Sequence, residues 1–175
     1  MKRSVIRDII IFAMLGTIMF ISKLIMEFLP NIHAVAMFIA VFTLVYRWRA
    51  LIPIYVYVFL VGLVNGFNLW WYPYIYIWTI LWGVTMLLPQ NMTRKVAVVV
   101  YPVVCALHGF AYGTLYAPAQ ALFFGLNFEQ TVAWIVAGLG FDVIHGVSNF
   151  AVGFLILPFS ELLHKLSRGR GFSNR

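Results

Sequence analysis

Two long stretches of the chain, residues 50–93 and residues 96–128, contain no Asp, Glu, Lys or Arg. A transmembrane helix needs only about 20 consecutive apolar residues, so these stretches must hold several spans. Composition agrees with this, because 63% of the residues are hydrophobic and 10% are charged, whereas soluble domains carry roughly 25% charged residues. The chain is therefore predicted to be an integral membrane protein with little room for a soluble domain.

Turn signals divide the apolar stretches. Pro30-Asn31, Asn65-Gly66, Leu88-Pro89 and Ala117-Pro118 each interrupt an apolar run. The prediction is an all-α integral membrane protein, a compact bundle of six transmembrane helices that forms a single membrane domain over residues 1–175. We place the helices at residues 5–23, 32–46, 50–68, 73–88, 95–116 and 130–159. No convincing cleavage site follows the first apolar run, so it is expected to remain as the first span.

Basic residues are distributed unevenly between the two ends of the predicted bundle. With six helices, eleven of the twelve Lys and Arg residues fall on one side, namely Lys2, Arg3, Arg7, Arg47, Arg49, Arg94, Lys95, Lys165, Arg168, Arg170 and Arg175. Only Lys23 falls on the other side, together with Glu27 and Glu129. The positive-inside rule then predicts cytoplasmic termini and an even number of spans. We interpret the net charge of +7 as the result of basic residues that set the orientation of the chain in the membrane. We expect no nucleic-acid partner.

Several common motifs of hydrolases, metalloproteases and nucleotide-binding proteins are missing from the sequence. It contains no G-x-S-x-G, no H-E-x-x-H and no phosphate-binding G-x-x-x-x-G-K. The chain is therefore not expected to be an enzyme or to hydrolyse ATP. The single cysteine, Cys105, excludes an internal disulfide and lies in an apolar run, which favours a packing role.

One helix face carries polar groups inside the membrane. Asp142, His145 and Asn149 are spaced at i, i+3 and i+7 and so share a face of the last helix. A charged group near the bilayer centre costs roughly 2.5–3.5 kcal/mol or more, so such a face normally turns to the bundle interior or to a cavity. We expect a ligand site there. The alternative is that Asp142 bonds to His145 or to a neighbouring helix and stabilises packing.

Further candidates lie on the preceding helix and in the loops. His108 and Tyr112 lie beside small residues in the half of the fifth helix that is farther from the basic side. Their pattern is equally compatible with contact to a ligand and with packing in the core. Three more candidates, Asn65, Asn68 and Trp71, form either a lid over a pocket or an aromatic belt. Gln120 and Asn127 are weaker candidates. Two histidines and one aspartate without a cysteine cluster do not predict a metal site, and no cofactor is expected.

Small residues cluster on the first helix at Ala13, Gly16 and Thr17. Small side chains spaced four residues apart permit close helix approach in lipid. This pattern is compatible both with internal packing and with a face for another membrane protein.

Several segments resemble the substrate-binding S components of energy-coupling factor (ECF) transporters, the ABC systems that import vitamins into prokaryotes. They are Leu29-Pro30-Asn31-Ile32-His33, Tyr46-Arg47-Trp48-Arg49-Ala50-Leu51-Ile52-Pro53, Trp70-Trp71-Tyr72-Pro73-Tyr74 and Leu87-Leu88-Pro89. The family's first helix carries Ala, three residues, Ala, and the matching positions here are Ala13 and Thr17. The resemblance covers essentially the whole chain.

The resemblance implies a function and partners. The chain would lie in the cytoplasmic membrane and capture a vitamin or vitamin precursor from outside. A transmembrane coupling subunit and two cytoplasmic ATPases would drive uptake. The candidate substrates are cobalamin, or a flat heteroaromatic such as pyridoxine or hydroxymethylpyrimidine. Two other classes stay open: a stand-alone small-solute facilitator or channel, and an intramembrane enzyme that uses Asp142 and His145 as an acid–base pair.

Overall fold

A computed structural model describes residues 2–168. The described chain is helical throughout, with no β-strand among these residues. Its α-helices are α1 (Lys2–Ile25), α2 (Val35–Tyr46), α3 (Leu51–Asn65), α4 (Tyr72–Leu87), α5 (Arg94–Phe110), α6 (Tyr112–Phe124), α7 (Phe128–Gly153) and α8 (Ile156–Arg168). They form six helical segments, because only Ala111 separates α5 from α6 and only Phe154 and Leu155 separate α7 from α8.

Four helical stretches of the described chain are long and apolar enough to cross a membrane. They are Val5–Ile25, Val35–Asn65, Arg94–Phe124 and Phe128–Gly153. The prediction that the fifth helix ends near Ala117-Pro118 is wrong, because α6 continues through Pro118 to Phe124. Proline is tolerated inside membrane helices, where neighbouring helices and side chains satisfy the backbone groups that it leaves free. The sixth predicted helix is likewise divided, at Phe154 and Leu155.

The stretch Val35–Asn65 reverses direction at its middle. Arg47 has a positive φ of 53° and begins a short 3₁₀ turn, Arg47–Ala50, between α2 and α3. Arg49 forms an ion pair with Asp8 near the start of α1, at 3.2 Å. Arg47 donates to the Met86 carbonyl near the end of α4, at 2.9 Å. The turn therefore lies where α1 begins and α4 ends, so that α2 and α3 run in opposite directions.

Polar contacts gather the charged segments at one end of the bundle. Besides the Arg49–Asp8 pair, Arg94 at the start of α5 pairs with Glu161 of α8 at 3.1 Å. Here this end is named the basic end, defined by Asp8, Arg49, Arg94 and Glu161. The opposite end, where Lys23 lies, is the loop end. Lys2, Arg3, Arg168, Arg170 and Arg175, which the sequence places on the basic side, lie outside the residues whose side chains the structure describes.

Glycines permit the closest contact between two long helices, α5 and α7. A Cβ atom on Gly109 would lie 2.8 Å from the Cα of Gly146, and a Cβ on Gly153 would lie 2.6 Å from the Cα of Pro102. Real Cβ atoms do not approach backbone so closely, so larger residues at Gly109 and Gly153 would separate the helices. This crossing fixes α7, which carries the predicted polar face, against α5.

A second close contact joins α1 to α3. A Cβ atom on Gly16 would lie 2.6 Å from the side chain of Val56 and 2.7 Å from the Pro53 carbonyl oxygen. Gly16 therefore packs inside the chain. Ala13 and Thr17 are exposed on another side of α1, and the Thr17 hydroxyl donates to the Ala13 carbonyl at 2.9 Å. The predicted small-residue group is thus divided between an internal contact and a free surface.

Candidate functional site

The segment that connects α1 to α2 packs against the C-terminal half of α7. The Ser148 hydroxyl of α7 lies 3.1 Å from the carbonyl oxygen of Asn31 and 2.9 Å from that of His145, and it shares its one proton between these two acceptors. Asn31 has a positive φ of 60°, a conformation that asparagine adopts more readily than most residues. The turn at Asn31 directs the chain so that the next residues, Ile32 and His33, lie between the helices.

A cavity of about 260 Å³ lies beneath this connection. Its wall is formed by residues between Lys23 and His33, by Tyr74 of α4, by Tyr112 of α6 and by His145 of α7. We name it the histidine cavity. It is open on one side, and it contains both ionic groups and aromatic rings. A concave site with a few converging polar groups among apolar walls is the usual form of a small-molecule site.

Two imidazole rings meet in the wall of the cavity. The ring centroids of His33 and His145 are 4.7 Å apart and the rings are nearly perpendicular, at 76°. Tyr112 lies on the other side of His145, also at 4.7 Å. Among the described residues, Nδ1 of His33 and Nε2 of His145 are buried without a hydrogen-bond partner. We refer to these two atoms as the available nitrogens. Because buried polar atoms are normally hydrogen-bonded, each of these two imidazoles keeps a donor or acceptor that no described residue uses.

His33 is held in its neutral form. Burial lowers the pKa of His33 from its ordinary value of 6.5 to about 4; a backbone hydrogen bond at His33 opposes this shift, and the positive charge of Lys23 adds to it. A neutral imidazole has one N–H donor and one acceptor nitrogen, so His33 is able to present either to a ligand. Among the described residues, the charged ones in the cavity wall are Lys23 and Glu27.

His108 lies behind the cavity wall. Its Nε2 atom is 3.1 Å from the Ile77 carbonyl oxygen; since a carbonyl only accepts, Nε2 carries the proton. The other ring nitrogen, Nδ1, is buried and has no partner within the described part of the chain. Trp78 stands between the two histidines, with its ring centroid 5.7 Å from His108 and 6.1 Å from His33. His108 therefore supports the aromatic wall and does not line the histidine cavity.

Asp142 is directed away from the cavity. Both of its carboxylate oxygens accept from the backbone N–H of Gly113, at 3.0 and 3.1 Å. Gly113 is in the first turn of α6, where backbone N–H groups have no partner within the helix. The positive end of the helix dipole, at the start of α6, also attracts the negatively charged carboxylate. Asp142 thus fixes the start of α6 against α7.

The remaining predicted residue on the α7 face, Asn149, also bonds to protein. Its side-chain amide donates to the Cys105 carbonyl of α5, at 3.2 Å, while its Oδ1 atom is buried without a partner in the described chain. Cys105 itself is fully buried. On the predicted face, the structure therefore gives Asp142 and Asn149 contacts with helix backbone and places His145 in the cavity wall.

The loop candidates do not meet the histidine cavity. Asn65 and Asn68 are exposed at the end of α3 and in the following loop. The Trp71 indole N–H donates to the Val58 carbonyl of α3 at 2.8 Å, which anchors the loop to that helix. Asn127 begins α7 through a reciprocal capping box with Gln130, and Gln120 is partly exposed on α6.

Of the eleven described residues that line the cavity, Tyr112 and His145 were predicted site residues, and the other nine, Lys23, His33 and Tyr74 among them, were not. Signals for two of them were present in the sequence. Lys23 is the single basic residue that the topology prediction places away from the basic side. His33, beside Pro30-Asn31, is a polar residue next to a long apolar run. Neither signal states that the loop packs back onto α7, which is what brings these residues together.

Comparisons with known proteins identify no relative. No protein-family model matches the chain, and no curated protein and no solved structure shows significant similarity to it. No group of three or more metal-ligating side chains that suits a metal ion occurs in the described residues.

Proposed function

We propose that the chain is a membrane-embedded substrate-binding subunit of an ECF-type transporter, which captures a small organic nutrient from outside the cell. The observation that carries the proposal is the histidine cavity, whose wall combines His33 and His145 with the aromatic rings of Tyr74 and Tyr112. Such a space binds and orients a solute. The resemblance of the sequence segments to S components supplies the partners: a membrane coupling subunit and two ATPases.

The proposal includes six membrane crossings with both termini in the cytoplasm. The reversal at Arg47 supports it, because it divides Val35–Asn65 into two antiparallel helices whose junction carries Arg47 and Arg49. The α4 helix, which packs beside α2, supplies a further crossing. In this orientation the basic end is cytoplasmic. The loop end, and with it the histidine cavity, then faces the exterior of a prokaryotic cell.

The exposed side of α1 is proposed as the face for the coupling subunit. Ala13 and Thr17 are exposed there, whereas Gly16 is occupied by α3. Small exposed side chains permit close approach by a second membrane helix. Elsewhere along this side, large apolar residues such as Met14 and Ile18 suit either lipid or a partner helix.

Mass spectrometry of small molecules that co-purify with the chain tests the proposal most directly. An S component is expected to retain an organic nutrient at near-unit stoichiometry and to co-purify with two ATPases and a membrane subunit. The His145→Ala variant is the matched control, because it removes one available nitrogen and is expected to lose the bound molecule. Co-purification of an unrelated molecule equally with both forms would contradict the proposal.

Reconstitution separates the proposal from the other two classes. A facilitator transports its solute in liposomes that contain the chain alone, whereas an S component needs the coupling subunit, the ATPases and ATP for uptake. An intramembrane enzyme converts a substrate without partners. Transport or turnover by the isolated chain would therefore exclude the S-component assignment.

A further inference from the structure

The histidine cavity has a charged entrance. Among the described residues that line it, the charged ones are Lys23 and Glu27, and Lys23 donates to the Glu27 carboxylate at 2.8 Å. They stand one helical turn apart, at i and i+4. Their environments differ, because the side chain of Lys23 is 17% exposed and that of Glu27 is 55% exposed.

This difference leaves the positive charge of Lys23 the less screened of the two, while the charge of Glu27 acts on Tyr74 of the wall. Water solvates and salt screens the exposed carboxylate of Glu27, while the more buried ammonium of Lys23 is screened less. The positive charge of Lys23 also acts on His33, which stands in the cavity wall. A positive potential within a concave site attracts an anionic group. Glu27 supplies that group when no ligand does.

Size and shape restrict the ligand further. The volume of the cavity, about 260 Å³, lies near the lower end of the range of about 300–1,000 Å³ that small-molecule sites occupy. A molecule of one or two rings fits in this space, whereas a corrinoid is far larger. Tyr74, Tyr112 and the two imidazole rings of the wall provide flat surfaces, against which an aromatic ring packs in offset or edge-to-face geometry.

We infer that the histidine cavity selects compact aromatic carboxylates. The ligand carboxylate replaces Glu27 on the Lys23 ammonium, the ring lies against Tyr74 and Tyr112, and the available nitrogens bind polar atoms on the ring. This inference rests on the proposed function, since it assumes that the histidine cavity is the substrate site. Beyond the proposed function, the inference specifies the charge and the size of the substrate.

Matched pairs of probes test the inference on the purified full chain. Pyridine-3-carboxylate is compared with pyridine-3-carboxamide, and indole-3-acetate with indole-3-acetamide, by isothermal titration calorimetry. Each pair differs by one charge and scarcely in shape. A charge-assisted hydrogen bond to Lys23 predicts that the better-fitting carboxylate binds about 10- to 100-fold more tightly than its amide.

Variants of the two entrance residues separate charge from shape. Lys23→Gln is expected to abolish the preference for the carboxylate, and Lys23→Arg to retain most of it. Glu27→Gln removes the competing carboxylate, so it is expected to tighten carboxylate binding by about 2- to 10-fold and to increase the ratio of carboxylate affinity to amide affinity. Unchanged thermal unfolding of Lys23→Arg and Glu27→Gln establishes that the folded state is intact.

Three results would overturn the inference: amides that bind as tightly as carboxylates, weaker carboxylate binding by Glu27→Gln, or no binding of any of the four probes. A neutral molecule that co-purifies at unit stoichiometry and is retained by Lys23→Gln would overturn it too, while leaving the proposed function in place. Failure of the proposed function has a different signature. The chain would then transport a solute without ATPases or convert a substrate alone.

Discussion

The carboxylate of Asp142 on α7 accepts the backbone N–H of Gly113 on α6 with both of its oxygens, at 3.0 and 3.1 Å. This contact joins α7 to α6 two residues after the break at Ala111, and Gly113 has no side chain that would keep Asp142 away. A Cβ atom at Gly113 would lie 2.5 Å from Oδ2 of Asp142. The pair therefore fixes how α6 continues from α5, and it determines the position of Tyr112, the cavity residue next to Gly113.

Replacement of Gly113 by alanine is expected to destabilise the fold. The new methyl group displaces the Asp142 carboxylate from the N–H group, and a buried polar group left without its partner costs about 1–3 kcal/mol. Thermal unfolding in detergent measures the loss. Gly138→Ala is the matched control on α7, because nothing lies within 4 Å of a Cβ atom there. At that site alanine is expected to stabilise the helix by roughly 0.5–1 kcal/mol.

Asp142→Asn completes this test. Asparagine retains one acceptor oxygen for the Gly113 N–H, so its cost is expected to be smaller than that of Asp142→Ala. Neither variant removes a residue of the cavity wall. If Asp142→Asn abolished ligand binding without lowering the unfolding temperature, Asp142 would contact the ligand and its structural role would be secondary.

The available nitrogens predict a loss of affinity when either imidazole is removed. His33→Ala and His145→Ala are each expected to weaken ligand binding by roughly 5- to 150-fold, because a ligand polar group then loses its partner in a buried site. Titration of the purified chain with its ligand measures the change. His164→Ala is the control, since His164 is a partly buried histidine on α8, at the basic end. Equal affinities for all three variants would place the ligand elsewhere.

The lowered pKa of His33 predicts a dependence of stability on pH. In the unfolded chain this histidine binds a proton near pH 6.5, whereas in the folded chain it does so near pH 4. The unfolded state therefore takes up the proton first, and stability falls as the pH decreases from about 6.5 towards 4. The titratable or charged groups that surround His33 are Lys23, Glu27, Tyr74, His108, Tyr112 and His145.

His33→Gln isolates the contribution of His33 from that of its neighbours. The variant is expected to lose less thermal stability than the parent between pH 7 and pH 5. Parallel curves for the parent and His33→Gln would show that His33 titrates in the folded protein as it does in the unfolded chain.

Sequence patterns predict the helices of this chain better than its site. Apolar length and turn residues suffice for the helices, because each is a local property. Spacing also predicts that Asp142 and His145 share a side of α7. Side chains three residues apart nevertheless point in directions that differ by about 60° around the helix axis, so the two side chains contact different neighbours. One neighbour is the N–H of Gly113 and the other is the α1–α2 connection.

The rest of the cavity depends on tertiary contacts that no periodicity encodes. His33 reaches His145 because the turn at Asn31 and the Ser148 hydrogen bond hold the α1–α2 connection against α7. Tertiary contacts also explain why Pro118 wrongly predicted the end of a helix. A lone proline indicates a helix end in water, whereas in a bundle the backbone groups that it frees find other partners and the helix continues.

The two sides of α1 predict opposite effects of larger residues. Gly16→Leu is expected to prevent folding, because its side chain would occupy the space of Val56 and the Pro53 carbonyl. Ala13→Leu and Thr17→Leu are exposed and are expected to leave thermal unfolding and ligand affinity unchanged. Under the proposed function they lower ATP-driven uptake by blocking close approach of the coupling subunit. Normal uptake by both exposed variants would remove this face from the interface.

The proposed orientation predicts different labelling of two loops at opposite ends of the bundle. Gln90 is exposed between α4 and α5, and Glu129 is exposed at the start of α7. Cysteine at position 129 is expected to react with a membrane-impermeant maleimide in intact cells, and cysteine at position 90 only after the membrane is permeabilised. Native Cys105 is buried and gives a silent background. Position 129 is preferable to Asn127, whose side chain caps α7. Labelling of position 90 in intact cells, or protection of position 129, would reverse the orientation and place the histidine cavity on the cytoplasmic side.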